Sequence, residues 1–308
     1  MIKQTPILAT LVVCSAIALV AQEKAKAPLQ AMIDQERAFA KLADEKGTRD
    51  AFLEYLADES LLFTPGPTPG KLYYKNRPAL PMKLRWAPEF ADISAAGDLG
   101  YTSGPWELSR NATEPPSSFG HFNTLWRLQQ DGSFRVEVDL GVPHDKPAVP
   151  VADVKSVESP KNNAPAPKEA KPLTDWQNEL VELDKTLATR AGEAGAAKAY
   201  EEAAADSIRL FRPDNMPALG KAAAVKLIEK TGRQMWKPAL ARMSKSGDLG
   251  YTTGSMVMGD PPAPPTPSNQ PPSATGARPP APAAPHYYVR IYRRDKTGSW
   301  KIVLDVVN

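Results

Sequence analysis

The chain has 308 residues, enough for about two domains, and its 42% hydrophobic and 24% charged content is ordinary for a folded soluble protein. A net charge of +3 is too small to argue for a nucleic-acid partner, and no Lys/Arg cluster changes that. The 32 prolines are the anomaly; most lie in two tracts that lack the apolar periodicity of a packed element.

Residues 1–21 read as a cleaved signal peptide. Lys3 supplies a positive charge, Ile7 to Ala21 is apolar, and small Ala21 precedes polar Gln22-Glu23-Lys24. The run is shorter than the roughly 20 residues a spanning helix needs. A lipobox ending at Cys14 is the rival reading, but Val13 stands where a small residue is usual, and apolar sequence continues past the cysteine. Cys14 is the one cysteine, so the mature chain has no disulfide or thiol chemistry. The expectation is an exported protein, periplasmic or secreted, with no membrane span in its mature form.

The rest of the chain says most things twice. WAPEFADISAAGDLGYTSG, from Trp86 to Gly104, returns 150 residues later as WKPALARMSKSGDLGYTTG, from Trp236 to Gly254, with 11 of 19 positions identical. Gly70-Lys71 answers to Gly220-Lys221 at the same offset. Upstream, Asp58, Phe63 and Pro65 answer to Asp206, Phe211 and Pro213. Downstream, His121, Gly132, Phe134 and Asp139 answer to His286, Gly298, Trp300 and Asp305. The domains are therefore set at 28–142 and 173–308, with a Pro-rich linker over 143–172 and a disordered Pro-rich insertion over 259–285 in the second.

Within each copy the elements follow one order. Leu29, Met32, Ile33, Phe39, Leu42 and Ala43 fit one face of a helix. Gly47 breaks it, and Thr48 is placed to cap a shorter helix ending near Leu56. Ser60 to Thr64 reads as a strand stopped by Pro65-Gly66. A short helix over Lys221 to Lys230 is weakened in the first copy by Pro78 and Pro81. Gly97-Asp98 and Asp131-Gly132 mark two hairpins. The sum is an α+β domain, with helices on one face of an antiparallel sheet.

These residues resemble the nuclear transport factor 2-like superfamily, in its SnoaL-like and domain-of-unknown-function branch. The carrying features are the paired N-terminal helices, Asp58 to Pro65, Gly70, Trp86-x-Pro88, the Ser94 to Gly104 hairpin and the Gly132 to Arg135 strand start. The resemblance implies two tandem cones, each a curved sheet around its helices with an internal pocket. It settles no function, because members include isomerases, cyclases, hydrolases and plain binding or dimerisation modules. The isomerase branch implies a catalytic aspartate just before the proline that ends the first strand. Thr64 and Arg212 stand there, so that base is missing.

Other chemistry is sparse. Asp58 and Asp206 read as helix-end caps, and Asp98 and Asp248 as turn residues. Strict alternation along the last strand puts Phe134, Val136, Val138 and Leu140 on the core face and Asp139 on the opposite face, away from any cone pocket. The same argument puts His121 on a polar outer face with Asn123 and Arg127. Three histidines without metal-ligand spacing give no metal site, and no phosphate or dinucleotide loop implies a cofactor. The aromatics Trp86, Tyr101, Trp106 and Trp126, with Trp236, Tyr251 and Tyr292 in the second copy, are the candidate lining of an apolar ligand pocket.

Two functions remain open. One is a non-catalytic module that binds a small hydrophobic ligand or interacts with a partner, its two domains pairing within the chain as a pseudo-dimer. The other is a SnoaL-like isomerase, cyclase or hydrolase acting on a small hydrophobic compound, which needs a titratable group inside a pocket.

Overall fold

The structure, a computed structural model, describes residues 28–147, 149–160, 171–258 and 285–308. The leader, residues 161–170 of the linker and nearly all of the Pro-rich insertion lie outside the described residues.

Helix α1 spans 28–46 and buries Met32, Ile33, Phe39 and Ala43 along one stripe. It ends at Gly47, whose φ of 93° is costly for any residue with a Cβ. Thr48 is not the cap expected of it: it opens α2 (Thr48–Tyr55), and no side-chain cap bond forms there. Then come β1 (Leu56–Phe63), β2 (Pro67–Pro69), α3 (Gly70–Lys75), β3 (Lys83–Trp86), β4 (Phe90–Ile93), β5 (Leu99–Ser109), β6 (Ser118–Leu128) and β7 (Phe134–His144). The second copy repeats this as α4 (Leu173–Ala194), α5 (Ala196–Ala203), β8 (Ala204–Phe211), β9 (Ala218–Leu219), α6 (Lys221–Lys230), β10 (Gln234–Met243), β11 (Leu249–Met258), β12 (His286–Arg294) and β13 (Trp300–Val307).

Each copy has its own mixed sheet. The strand orders are β2-β1-β7-β6-β5-β3, with β4 also on β5, and β10-β11-β12-β13-β8-β9. Both expected hairpins form. The sheets are not purely antiparallel, because β1 runs parallel to β7 and β8 parallel to β13. Asp58 and Asp206 lie inside these strands rather than at helix ends, and each pairs with a lysine in the first turn of the next helix, Lys71 at 2.6 Å and Lys221 at 2.9 Å. The described start of the linker carries a 3-10 turn at Val151–Asp153, and Glu158 bonds the backbone of Glu89 and Ala91.

A bulge in the last strand decides the geometry of each cone. Trp126 faces Val136 and Leu125 faces Val138, so Glu137 is an extra residue with no partner across the ladder. In the second sheet, Tyr292 faces Ile302 and Ile291 faces Leu304, leaving Val303 extra. Alternation restarts beyond the bulge in the opposite sense. Phe134 and Val136 pack on the helices, whereas Val138, Leu140 and Val142 join a separate cluster with Tyr251, Val289, Ile291, Leu304 and Val306 of the second sheet. Asp139 therefore points to the helix side, the reverse of what strict alternation predicts, and Asp305 does the same.

Contacts between the two sheets come in matched pairs. Asp98 accepts from the Lys245 amide and Asp248 from the Ala95 amide, each at 3.0 Å. Arg127 donates to the Met243 carbonyl and Arg293 to the Ile93 carbonyl. Each contact is the other's counterpart in the repeat, the pattern of an isologous interface.

Candidate functional site

The first cone holds a half-open cavity of about 280 Å³, with the exposed Met82 on its rim. The helices contribute Phe39, Thr48, Phe52 and Tyr74, β3 contributes Leu84 and Trp86, and β5 to β7 contribute Trp106, Leu108, Phe122, Asp139 and Gly141. Trp106 owes its position to a missing side chain. A Cβ on Gly120 would lie 2.4 Å from the indole and 2.2 Å from the Val142 carbonyl oxygen. Among the described residues, Asp139 is the one charged residue in this wall. Thr124 donates to its Oδ2 at 2.7 Å, and burial pushes its carboxyl up to about 6, partly offset by that bond.

Behind the wall lies a second carboxyl. Glu36 of α1 is fully buried, and Trp86, Thr102 and Trp126 donate to it at 2.6, 2.6 and 3.0 Å. Burial still wins over these bonds and pushes it up to about 7, with Asp139 adding repulsion. Glu36 was not among the candidates drawn from the sequence. The signal was present nonetheless: it interrupts the apolar stripe Met32, Phe39, Ala43, and Asp184 interrupts Leu180, Leu187, Ala191 at the matching place.

The second cone keeps both acids and adds cations. Arg290, fully buried, reaches Asp184 with one nitrogen and Asp305 with another at 2.5 Å. Arg212 reaches Asp305 at 2.6 Å. Tyr288, Tyr292 and Thr252 donate to Asp184, and Tyr200 donates to Asp305. Burial would raise the Asp305 carboxyl, but Arg212 and Arg290 outweigh it and hold the group at about 2. In the first cone the repeat positions of Arg212 and Arg290 hold Thr64 and Thr124.

The aromatic candidates divide. Trp86 and Trp106 line the first cavity, and Trp126 lies beneath it on Glu36. Trp236 and Tyr292 sit in the core of the second cone around Arg290 and Asp184. Tyr101 and Tyr251 face the other way, into the cluster between the sheets, where Tyr251 donates to Glu137 at 2.6 Å. The structure thus does not bring the seven into one site.

His121 lies on the outer face, as expected, but buried. Its Nδ1 is 2.6 Å from His144 Nε2, its Nε2 is 3.2 Å from Glu89, and its ring is 5.7 Å from that of Phe211. Burial holds His144 below its ordinary value. The expected match of His121 with His286 is off by one. His121 pairs with Pro105 and Tyr287 pairs with Ser255, the counterpart of Pro105, so Tyr287 holds the equivalent place.

Two larger clefts, of about 770 and 490 Å³, open where the two sheets meet. Their charges are largely committed: Arg127 to Glu137, Arg293 to Asp92, Lys221 to Asp206. Among the described residues, no group of three or more His, Cys, Asp or Glu is placed to hold a metal ion, and no helix is long and apolar enough to cross a membrane. The first cone is therefore the candidate site.

No family model and no curated protein matches the chain. Several solved structures are similar to it. A ketosteroid isomerase-like protein from Erwinia carotovora atroseptica is 12% identical, over 42% of this chain and 92% of its own, with a TM-score of 0.30. An NTF2-like protein of unknown function from Pseudomonas putida is 17% identical, over 44% and 87%, with a TM-score of 0.32. A cystatin-like-fold protein of unknown function from Nostoc punctiforme is 12% identical, over 39% and 92%, with a TM-score of 0.30. Each copy in this chain is a curved sheet backed by helices, and the solved structures similar to it over about one copy's length include NTF2-like and ketosteroid isomerase-like proteins.

Proposed function

We propose that the chain is an exported small-molecule-binding protein in which the first cone holds the ligand and the second is a scaffold paired to it as an intramolecular pseudo-dimer. The observation that carries this is the contrast between the cones. The first has an apolar, aromatic cavity with one carboxyl facing it. The second has the same acids tied to Arg290 and Arg212 inside its core. An apolar wall with a single polar group to orient the occupant is the usual makeup of a ligand site. The reciprocal Asp98–Lys245 and Asp248–Ala95 contacts support the pairing.

One observation favours a second reading. Burial pushes the Asp139 carboxyl up to about 6 inside the cavity, which suits a general base or acid acting on a small hydrophobic compound. Under that reading the chain is a SnoaL-like isomerase, cyclase or hydrolase that uses Asp139 in place of the missing base at Thr64.

Native mass spectrometry of the purified chain tests the first reading. One small molecule per monomeric chain, lost in Thr124→Arg and retained in Trp236→Phe, is the expected result. Two per chain, or loss only in Trp236→Phe, would overturn the assignment of the first cone. The mass of the mature chain, beginning near Gln22, tests export.

A further inference from the structure

We infer that the first cone takes a small organic cation, an ammonium or guanidinium, held between the Asp139 carboxylate and the aromatic wall. This deepens the reading of that cone as a small-molecule site and rests on it.

The second copy shows what the arrangement accommodates. The Arg290 guanidinium lies 4.6 Å from the centroid of Trp236, 4.8 Å from that of Tyr288 and 5.4 Å from that of Tyr200. It thus sits in an aromatic box and bonds both acids, Asp184 and Asp305. The first copy has the counterparts of every part but the cation. Trp86, Phe122 and Phe52 stand for the three rings, and Glu36 and Asp139 for the two acids, while Thr124 replaces the arginine. Shortening that side chain leaves the aromatic wall and the carboxyl facing a cavity.

The electrostatics point the same way. Among the described residues, no Lys, Arg or His lines the cavity. The nearby cations are engaged outside it: Arg49 with the Tyr74 carbonyl and Asp50, Lys83 with the Asp44 carbonyl, Arg135 with the Glu54 carbonyl. Facing Asp139 are Thr124 from β6, the Tyr74 ring from α3 and Glu36 from α1, none of them positive. Among the described hydrogen bonds, Asp139 Oδ2 has its donor in Thr124 and Oδ1 has none. An anionic ligand would face two carboxyls, and a neutral one would leave an ionised Asp139 without a counter-charge. A cation supplies the counter-charge, and the ring faces hold it as they hold Arg290.

Isothermal titration of the full chain with three probes of one shape tests this: 2-phenylethylammonium, 2-phenylethanol and 3-phenylpropanoate. The ammonium should bind at least about tenfold tighter than the alcohol at pH 8, and the carboxylate should not bind. At pH 5, where Asp139 is protonated, the ammonium should weaken by about tenfold while the alcohol does not change. Asp139→Asn, checked by near-UV circular dichroism, should erase the preference at pH 8. The wild-type pH comparison stands even if that variant fails to fold. Alcohol binding as tight as ammonium would overturn the cation and leave the cavity reading intact. No binding by any probe to the folded chain would overturn both.

Discussion

Asp139 and Asp305 hold the same position after the bulge of the last strand, yet their surroundings drive them in opposite directions, to about 6 and about 2. Both are taken out of water. The difference lies in what replaces the water. Asp139 has one hydroxyl donor, whereas Asp305 has two guanidiniums and a tyrosine. A shared backbone frame therefore carries a proton-active carboxyl in one copy and a locked ion pair in the other.

Removing the lock should be costly. Arg290→Met leaves Asp184 with only hydroxyl donors and Asp305 with Arg212 as its one cation, and breaking a buried pair from one side costs about 3–5 kcal/mol. Urea unfolding of the variant should show a loss in that range. A loss below about 1 kcal/mol would mean that the cluster is hydrated in solution rather than buried.

Moving the lock should close the site. Thr124→Arg places a guanidinium between Glu36 and Asp139, the arrangement the second cone already tolerates. The expected result is a folded chain, by near-UV circular dichroism, that no longer binds 2-phenylethylammonium. Retained affinity in the folded variant would place the ligand elsewhere.

Glu36 should make stability fall as pH rises. Its folded value of about 7 lies above its ordinary 4.5, so between those values the folded state binds more protons than the unfolded one. Stability is then lost as pH climbs through that window, by about 3 kcal/mol for this group alone. Glu36→Gln should flatten the slope of unfolding free energy between pH 5 and 8 relative to the parent chain. Parallel slopes would show that Glu36 is ionised in the folded protein throughout.

The contact between the copies also has a sensitive point. Arg293 makes a two-pronged pair with Asp92, at 2.8 Å on each arm, and both are buried. Asp92→Ala should destabilise the whole chain by about 3 kcal/mol, and adding Arg293→Met should recover much of it. Thermal unfolding in which the two copies already melt separately in the parent chain would contradict intramolecular pairing.

Much of this is legible in the sequence. The Trp86–Gly104 repeat marked two tandem domains, and Gly47, Gly97 and Gly132 marked the breaks between elements. The facing of Asp139 was not legible, because one extra residue at Glu137 inverts alternation and nothing in the local composition marks it. Residue type pairs His121 with His286, but the ladder register puts Tyr287 at the equivalent place. Strand parity turns Tyr101 and Tyr251 toward the other sheet, where each lines one of the clefts between the sheets instead of the first cone's cavity. Glu36 was missed because an acid on a helix reads as surface until its place in the apolar stripe is counted in both copies.

Carboxyl-carbon NMR titration of Asp139 and Asp305 in one sample tests the central claim most directly. The account predicts midpoints near 6 for Asp139 and near 2 for Asp305, with Asp139 moving lower when 2-phenylethylammonium is added. Two midpoints close together near the ordinary carboxylate value of about 4 would contradict it, since the two cones would then be electrostatically alike.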